Sequence, residues 1–393
     1  MKHLFLLTYI VILFGCQQNE SFDQMVEDRL KFAIEQYEMM AESVVDLPDL
    51  LPRSVNAEGK LVATGPLDWV SGYFPGSLWY LYEFSGDSRL LENARYYTAR
   101  AENAKYNRRG HDTGLMVYCS FGNGYRITGD PSYRDVMLVG AESLASRYNP
   151  KVGCIKSWNE MKNKGWQYPV IIDGMVCLEL LLWASKETGD AKYRDMCISH
   201  ADATMKHHFR PDYSSFHVVS YDTITGLPDK KNTHQGYADE SAWARGQAWG
   251  LHGYTMMYRE TKEQRYLTHA KNIAGFILNH PNMPADKVPY WDFNAPDIPG
   301  AYRDASAAAL IASALIELSR YVDEQLAKTY LDVAKIQLRT LSSPEYFAEK
   351  GTNGNFILKH SVGHFPNKSE IDVPINYADY YYIEALMRYR ELN

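Results

Sequence analysis

The 393-residue sequence predicts an all-α fold, a single-domain (α/α)6 barrel: a six-hairpin toroid with long loops at one mouth. Three observations predict it. A Gly-Asp turn recurs between segments of helical periodicity. Helices that are apolar nearly all round alternate with helices that are apolar on one face. One one-sided helix is left over near the start and one apolar helix at the end, so the two can close a ring. An open helical solenoid is the alternative, but complementary leftover halves favour closure.

Taken in order, residues 1–15 carry Lys2 and then a largely apolar run from Leu4 to Phe14. About a dozen apolar residues suit a secretory signal and are too few to span a bilayer. Leu13-Phe14-Gly15-Cys16, followed by polar Gln17-Gln18-Asn19, resembles a bacterial lipobox. That implies cleavage before Cys16, acylation of its sulfur, and a periplasmic or outer-membrane location held by lipid rather than by a spanning helix. Residues 16–393 are then the barrel domain. Its first outer helix is expected over 22–45. Turns follow at Phe84-Ser-Gly-Asp-Ser-Arg-Leu90, Ile127-Thr-Gly-Asp-Pro-Ser-Tyr133 and Glu187-Thr-Gly-Asp-Ala-Lys-Tyr193, with degenerate copies over 260–266 and 320–326. In each, a left-handed Gly ends one helix and Asp or Ser caps the next. Pro131 fits a first helical turn, where its missing N–H costs nothing. Segments 174–184 and 306–318 read as inner helices, 132–147 as an outer one, and 375–390 as the closing inner helix. Strand signals are sparse, the best lying over 216–221.

Composition excludes several classes of function. The sum 41 − 48 = −7 for Lys+Arg against Asp+Glu, with no basic stripe, argues against a nucleic-acid partner. At 46% hydrophobic and 23% charged, the chain has ample apolar surface to fold. Apart from Cys16, Cys119, Cys154, Cys177 and Cys197 have neither CxxC spacing nor a nearby His cluster, so no structural zinc is expected and they read as core thiols. The 30 Tyr and 8 Trp exceed what a core needs, and stacking on a flat ligand is one use for the surplus.

In such a ring the inner helices are parallel, and the connections entering them, roughly 50–71, 107–112, 150–172, 211–239, 280–302 and 343–374, share one mouth. Long loops over one mouth are where function usually sits. They hold Trp69, His111, Asp112, Trp158, Trp166, Asp173, His217, His234, Gln235, Trp243, Arg245, Trp291 and Arg303. Asp112 and Asp173 each stand at the start of an inner helix, where helix capping is the ordinary role of an Asp. Asp173, however, follows Val170-Ile171-Ile172. Desolvation raises a carboxyl pKa and a nearby second carboxylate raises it further, which keeps an acid protonated near neutral pH. Two such Asp facing one pocket suggest sugar chemistry. The run from Thr233 to Trp249, His-Gln-Gly-Tyr-Ala-Asp-Glu-Ser-Ala-Trp-Ala-Arg-Gly-Gln-Ala between them, reads as helical from Asp239 onward. Arg245 and Trp249 then share a face, and an Arg fork beside an indole suits a ring that bears a carboxylate. Pairing of Arg245 with Asp239 or Glu240 is the alternative.

At these residues the sequence resembles glycoside hydrolase family 88, the unsaturated glucuronyl hydrolases. The resemblance rests on His111-Asp112-Thr-Gly, Ile171-Ile-Asp173-Gly, Thr233 to Trp249, Pro289-Tyr-Trp-Asp-Phe, Arg303-Asp304-Ala-Ser-Ala-Ala-Ala and Ala378-Asp-Tyr-Tyr-Tyr-Ile-Glu-Ala-Leu-Met-Arg. It implies an (α/α)6 barrel and hydration of the C4=C5 vinyl ether that polysaccharide lyases leave on a non-reducing uronic acid. It implies that Asp173 is the acid and base, and that Asp112 holds ring hydroxyls and stabilises developing positive charge. Substrate contacts fall on His111, Trp158, His217, Thr233, Gln235, Trp243, Arg245 and Trp249. Neither metal nor organic cofactor is implied. The expected substrates are lyase-generated glycosaminoglycan oligosaccharides. The alternatives are unsaturated rhamnogalacturonan fragments, or glycan binding without catalysis. The loop 360–369 lies where family members meet the second sugar and any sulfate, which points to Ser361 and Lys368. His364 and Asn367 depart from the Ser/Lys pattern there.

Overall fold

A computed structural model describes residues 20–392 of the chain. The expected signal peptide and the acylated Cys16 lie outside the described residues. In order, the helices are α1 (Phe22–Val44), α2 (Tyr73–Ser85), α3 (Ser88–Arg100), α4 (Thr113–Val117), α5 (Asn123–Thr128), α6 (Pro131–Ala145), α7 (Gly174–Thr188), α8 (Ala191–His207), α9 (Ala244–Thr261), α10 (Gln264–Asn279), α11 (Ala305–Ser319), α12 (Glu324–Leu341) and α13 (Asn376–Arg390). A π turn, Tyr118–Gly122, joins α4 to α5 into one inner rod. The rods α2, α4–α5, α7, α9, α11 and α13 form the inner ring, and α13 packs on both α11 and α2 to close it. The outer layer is α1, α3, α6, α8, α10 and α12. The ring is thus closed, as the leftover halves predict, and α1 and α13 are the sixth pair.

The turn chemistry is as expected. Gly86, Gly129 and Gly189 end α2, α5 and α7 with φ of 70°, 67° and 74°. The side chains of Asp87, Asp130 and Asp190 accept the N–H two residues on. In the degenerate copies Lys262 takes the left-handed position itself, at φ 59°, and Asp323 caps α12.

Inner helices touch neighbours on several sides, which is why they are apolar all round; every residue of α11 is buried. Small residues set the spacing where they cross. A Cβ on Gly114 would stand 2.5 Å from the Cys177 carbonyl oxygen, and one on Gly253 2.4 Å from Met175 Cβ. Both crossings involve α7, at whose start Asp173 lies. The four thiols expected in the core are buried there.

The mouth is more ordered than the sequence suggests. It carries the hairpins β1 (Leu51–Val55)–β2 (Leu61–Thr64) and β3 (Tyr148–Asn149)–β4 (Cys154–Ile155). It also carries the three-stranded sheet β5 (Tyr168–Ile171)–β6 (Val218–Tyr221)–β7 (Pro228–Asn232), and the hairpin β8 (Ser361–His364)–β9 (Ser369–Val373). Only β6 has a clear sequence signal. The others are short, and several, such as Pro228-Asp-Lys-Lys-Asn232, are polar. The reading of a helix from Asp239 is corrected: α9 begins at Ala244. Asp239 accepts the Thr233 N–H at 2.7 Å and the Asn232 amide at 2.8 Å, while buried Asp292 takes the Tyr237 N–H and the Ser241 hydroxyl. Those carboxylates hold 233–243 as a loop.

Candidate active site

Asp112 and Asp173 precede the inner rods α4 and α7, and neither caps its helix: both are in the right-handed conformation with no side-chain bond to the helix N–H groups. Asp87, Asp130, Asp190, Asp304 and Asp323 do cap theirs. The two free carboxyls instead line one pocket of about 230 Å3 at the loop-bearing mouth. Trp69, Trp158 and Trp249 give it aromatic walls, and His234, Gln235, Arg245 and His364 give it polar ones.

The surroundings of Asp173 come from strand pairing. Ile171 of β5 pairs with Val218 of β6, and the Ile172 N–H donates to the His217 carbonyl at 3.1 Å, so His217 stands beside Asp173. The His217 ring is buried, and its Nδ1 accepts the backbone N–H of both His234 and Gln235 at 3.1 Å. Its ring proton therefore sits on Nε2, which faces Asp173 Oδ2 at 3.7 Å. Burial pushes the Asp173 carboxyl up to about 7; Arg245 and the Asp173 N–H pull it down, and Asp112 raises it. Burial also holds His217 well below the usual imidazole range, helped by His234, His364 and Arg245. The pair thus combines a neutral imidazole donor with a carboxyl that titrates near neutrality.

Asp112 has a different imidazole. The His111 backbone N–H donates to the Ser157 carbonyl at 3.1 Å, and His111 Nδ1 faces the same oxygen at 3.4 Å. A carbonyl only accepts, so His111 Nε2 is left as an acceptor 3.5 Å from Asp112 Oδ1.

Arg245 and Trp249 share the pocket face of α9, as their spacing predicts. Arg245 pairs with buried Asp304 at 3.2 Å, and neither Asp239 nor Glu240 is its partner. Its Nη atoms also donate to the carbonyls of Val362 and, at 2.6 Å, Gly363, while Nε is buried without a partner. The fork is therefore engaged with β8 and α11, and only Nε is open. Other buried polar atoms without partners here are Asp173 Oδ2, His217 Nε2, Trp249 Nε1 and His364 Nε2. Such groups are costly unless a ligand or water satisfies them.

Not every expected residue lines the pocket. His111 and His217 stand behind the two carboxyls. Trp243 supports the site from α9's N-cap position, 4.6 Å from the His217 ring and 4.5 Å from the Arg245 guanidinium. Thr233 Oγ1 accepts the Gly236 N–H inside its own turn. Ser361 is wholly buried in β8, and Lys368 is exposed in the β8–β9 turn at φ 53°; neither reaches the pocket wall. His364, from the same hairpin, does. Trp69, His234 and His364 had a signal as aromatic residues in mouth loops, but one that gave no side-chain direction. Asp304 lay in a matched segment without an assigned role.

A closed helical toroid whose open mouth presents two uncapped carboxyls among indoles defines a sugar-cleaving hydrolase. The pattern described as Glycosyl Hydrolase Family 88 matches residues 53–390, and the chain belongs to that family. It is 44% identical to an unsaturated glucuronyl hydrolase of Formosa agariphila, over 98% of both chains. It is 35% identical to an unsaturated chondroitin disaccharide hydrolase of Streptococcus agalactiae, over 82% of this chain and 81% of the relative. A crystal structure of an unsaturated glucuronyl hydrolase specific for heparin superposes with a TM-score of 0.91 at 50% identity, covering 94% of this chain and 98% of that one. The chain is a glycoside hydrolase.

Proposed function

We propose that this enzyme removes the 4,5-unsaturated uronic acid from the non-reducing end of glycosaminoglycan oligosaccharides cut by a lyase. One observation carries the reading: Asp173 is an uncapped, largely buried carboxyl held at about 7 in a pocket it shares with Asp112. A group that titrates there can give a proton and take one back. In the proposed sequence Asp173 protonates C4 of the vinyl ether, positive charge develops at C5, and water adds at C5 while Asp173 recovers a proton from it. The hemiketal opens, and the C1–O bond to the next sugar is broken with net uptake of one water. Asp112 stabilises the developing charge and holds ring hydroxyls. Trp69, Trp158 and Trp249 are the stacking surfaces, and Gln235, His234 and His364 the nearby hydrogen-bonding groups. His217 Nε2–H faces Asp173 Oδ2 at 3.7 Å and presents a positive edge to that oxygen.

The relatives' names support the uronic acid, and the heparin-specific neighbour makes heparin-derived fragments the first to assay. The test is loss of the short-wavelength ultraviolet absorbance of the conjugated double bond as it is consumed, across lyase-generated disaccharides with and without sulfate. No decay with any of them overturns the proposal.

The motif ending at Cys16 supports a signal peptide over 1–15 and a lipid anchor at the periplasmic face of a bacterial membrane. Among the described residues no helix is long and apolar enough to cross a membrane. Labelled fatty acid should enter the wild-type chain and be absent from Cys16→Ser; equal labelling of both overturns the anchor.

A further inference from the structure

Beside the catalytic mouth lies a second cleft whose cations are paired with no carboxylate. Arg108, Arg147 and Lys156 line it together with Ser146, Tyr148 and Tyr168; its volume is about 610 Å3, and no carboxylate is in its wall. Elsewhere, buried or half-buried guanidiniums such as Arg53, Arg245, Arg259 and Arg388 each hold a carboxylate. Here Asp112 and Glu160 act on the cations only through space. Burial lowers the affinity of Arg147 for its proton, and burial together with the Arg147 charge does the same to Lys156. Two desolvated cations side by side repel, and an anion between them removes that cost.

The cleft is also built. Arg147 Nε donates to the Lys156 carbonyl at 2.7 Å and Nη1 to the Arg108 carbonyl, so the guanidinium is locked before any ligand arrives. Its Nη2 is buried without a partner. The Lys156 ammonium stands 5.2 Å over the Tyr168 ring. These bonds tie together the two loops that feed the pocket: Arg108 lies four residues before Asp112, and Lys156 two before Trp158.

We propose that this cleft binds a sulfate or carboxylate group of an acidic glycan, outside the catalytic pocket. Three cations supply the charge-assisted bonds that such oxyanions need, and the Tyr148 ring beside them supplies a flat wall for a sugar. The flat Tyr148 wall beside the cations favours a sugar ring over a phospholipid surface. A glycan held here keeps its chain ends close to the pocket mouth and raises their local concentration.

The probe is a sulfated glycosaminoglycan tetrasaccharide with a saturated non-reducing end, titrated calorimetrically into the enzyme at low and raised salt. Because it is not turned over, the result does not depend on the reaction proposed above. Wild type should bind it more weakly as salt rises, and Arg108→Gln/Lys156→Gln should lose about tenfold or more in affinity. That variant should keep the wild-type thermal midpoint and kcat/KM on an unsaturated disaccharide. Unchanged affinity in the double variant overturns the proposal. So does affinity lost in Trp249→Ala but kept in the double variant, which would put the tetrasaccharide in the pocket. Binding of inorganic sulfate without the tetrasaccharide, or of phosphatidylglycerol vesicles in its place, overturns the ligand class.

Discussion

At the scale of single residues, the site turns on which atoms carry protons. Asp173→Asn keeps the shape of the protonated acid but cannot give its proton away. It should fold normally and lose about a thousandfold in kcat, read from the decay of the double-bond absorbance. In wild type, kcat/KM should be level at acid pH and fall as pH rises through about 7, because only the protonated Asp173 is the acid. A profile that rises through that range would contradict the assignment. His217 should shift the same limb. Its Nε2–H favours the Asp173 carboxylate, so His217→Ala should move the fall in kcat/KM to higher pH, a change that a packing defect alone would not give. Stability has the opposite sign from activity in Asp173→Asn. The folded carboxyl titrates at about 7 against an unfolded value of 3.8, so its contribution is lost as pH rises from about 4 to 7. The variant should therefore melt above wild type at pH 8 and close to it at pH 4.

At the scale of elements, the carboxyls depend on how closely their rods approach. Gly114→Ala would push a methyl into the Cys177 carbonyl, which is backbone and cannot swing away. It should cost about 1–3 kcal/mol in denaturant unfolding and also lower activity in the folded fraction, because α4 and α7 carry the two carboxyls. Asp379 of α13 shows a buried carboxyl used differently. It accepts the N–H groups of Ile357 and Leu358 at 2.9 and 2.8 Å, and burial pushes it up to about 7. It fastens the loop before β8 to the inner ring and is not in the pocket lining. A raised carboxyl pKa alone therefore does not mark a catalytic acid; its place in a cavity does.

At the scale of the whole molecule, the toroid is active at one end and locked at the other. Near the short-turn end, Arg259 bridges Glu179, Glu260 at 2.8 Å and Glu317 at 2.9 Å, and Arg388 joins Glu317 at 2.9 Å to Glu384 at 3.4 Å. This network links α7, α9, α11 and α13 across the ring. Arg388→Ala would leave buried Glu317 with Arg259 alone and take from buried Glu384 the guanidinium that faces it. It should destabilise by about 3–5 kcal/mol in denaturant unfolding while kcat in the folded enzyme stays near wild type. A loss in kcat without a loss in stability would mean that the network belongs to the site.

Much of the toroid was legible because its signals are local. A left-handed Gly, a capping Asp and a switch from one-sided to all-round apolarity act within a few residues, so the turns and the six pairs follow from the sequence. Closure was legible too, since an unpaired apolar helix must bury its surface somewhere. The strands of the mouth were not, because a strand of two to five residues is too short to show a period of its own and exists only through its pairing. Nor was the start of α9, which Asp239 delays through bonds inside its own loop and Asp292 through bonds reaching that loop from a distant part of the chain. Within the site, the residue types, the positions of Asp112 and Asp173 at inner-helix starts and the shared face of Arg245 and Trp249 came from the sequence. Tertiary structure alone decided which side chains face the cavity. It put His364 on the wall and Ser361 behind it, gave Arg245 to Asp304, and fixed the proton of His217. Side-chain direction and hydrogen-bond partner depend on contacts between segments that lie apart in the chain, such as Arg245 with Asp304 and with Gly363, and no local pattern encodes them.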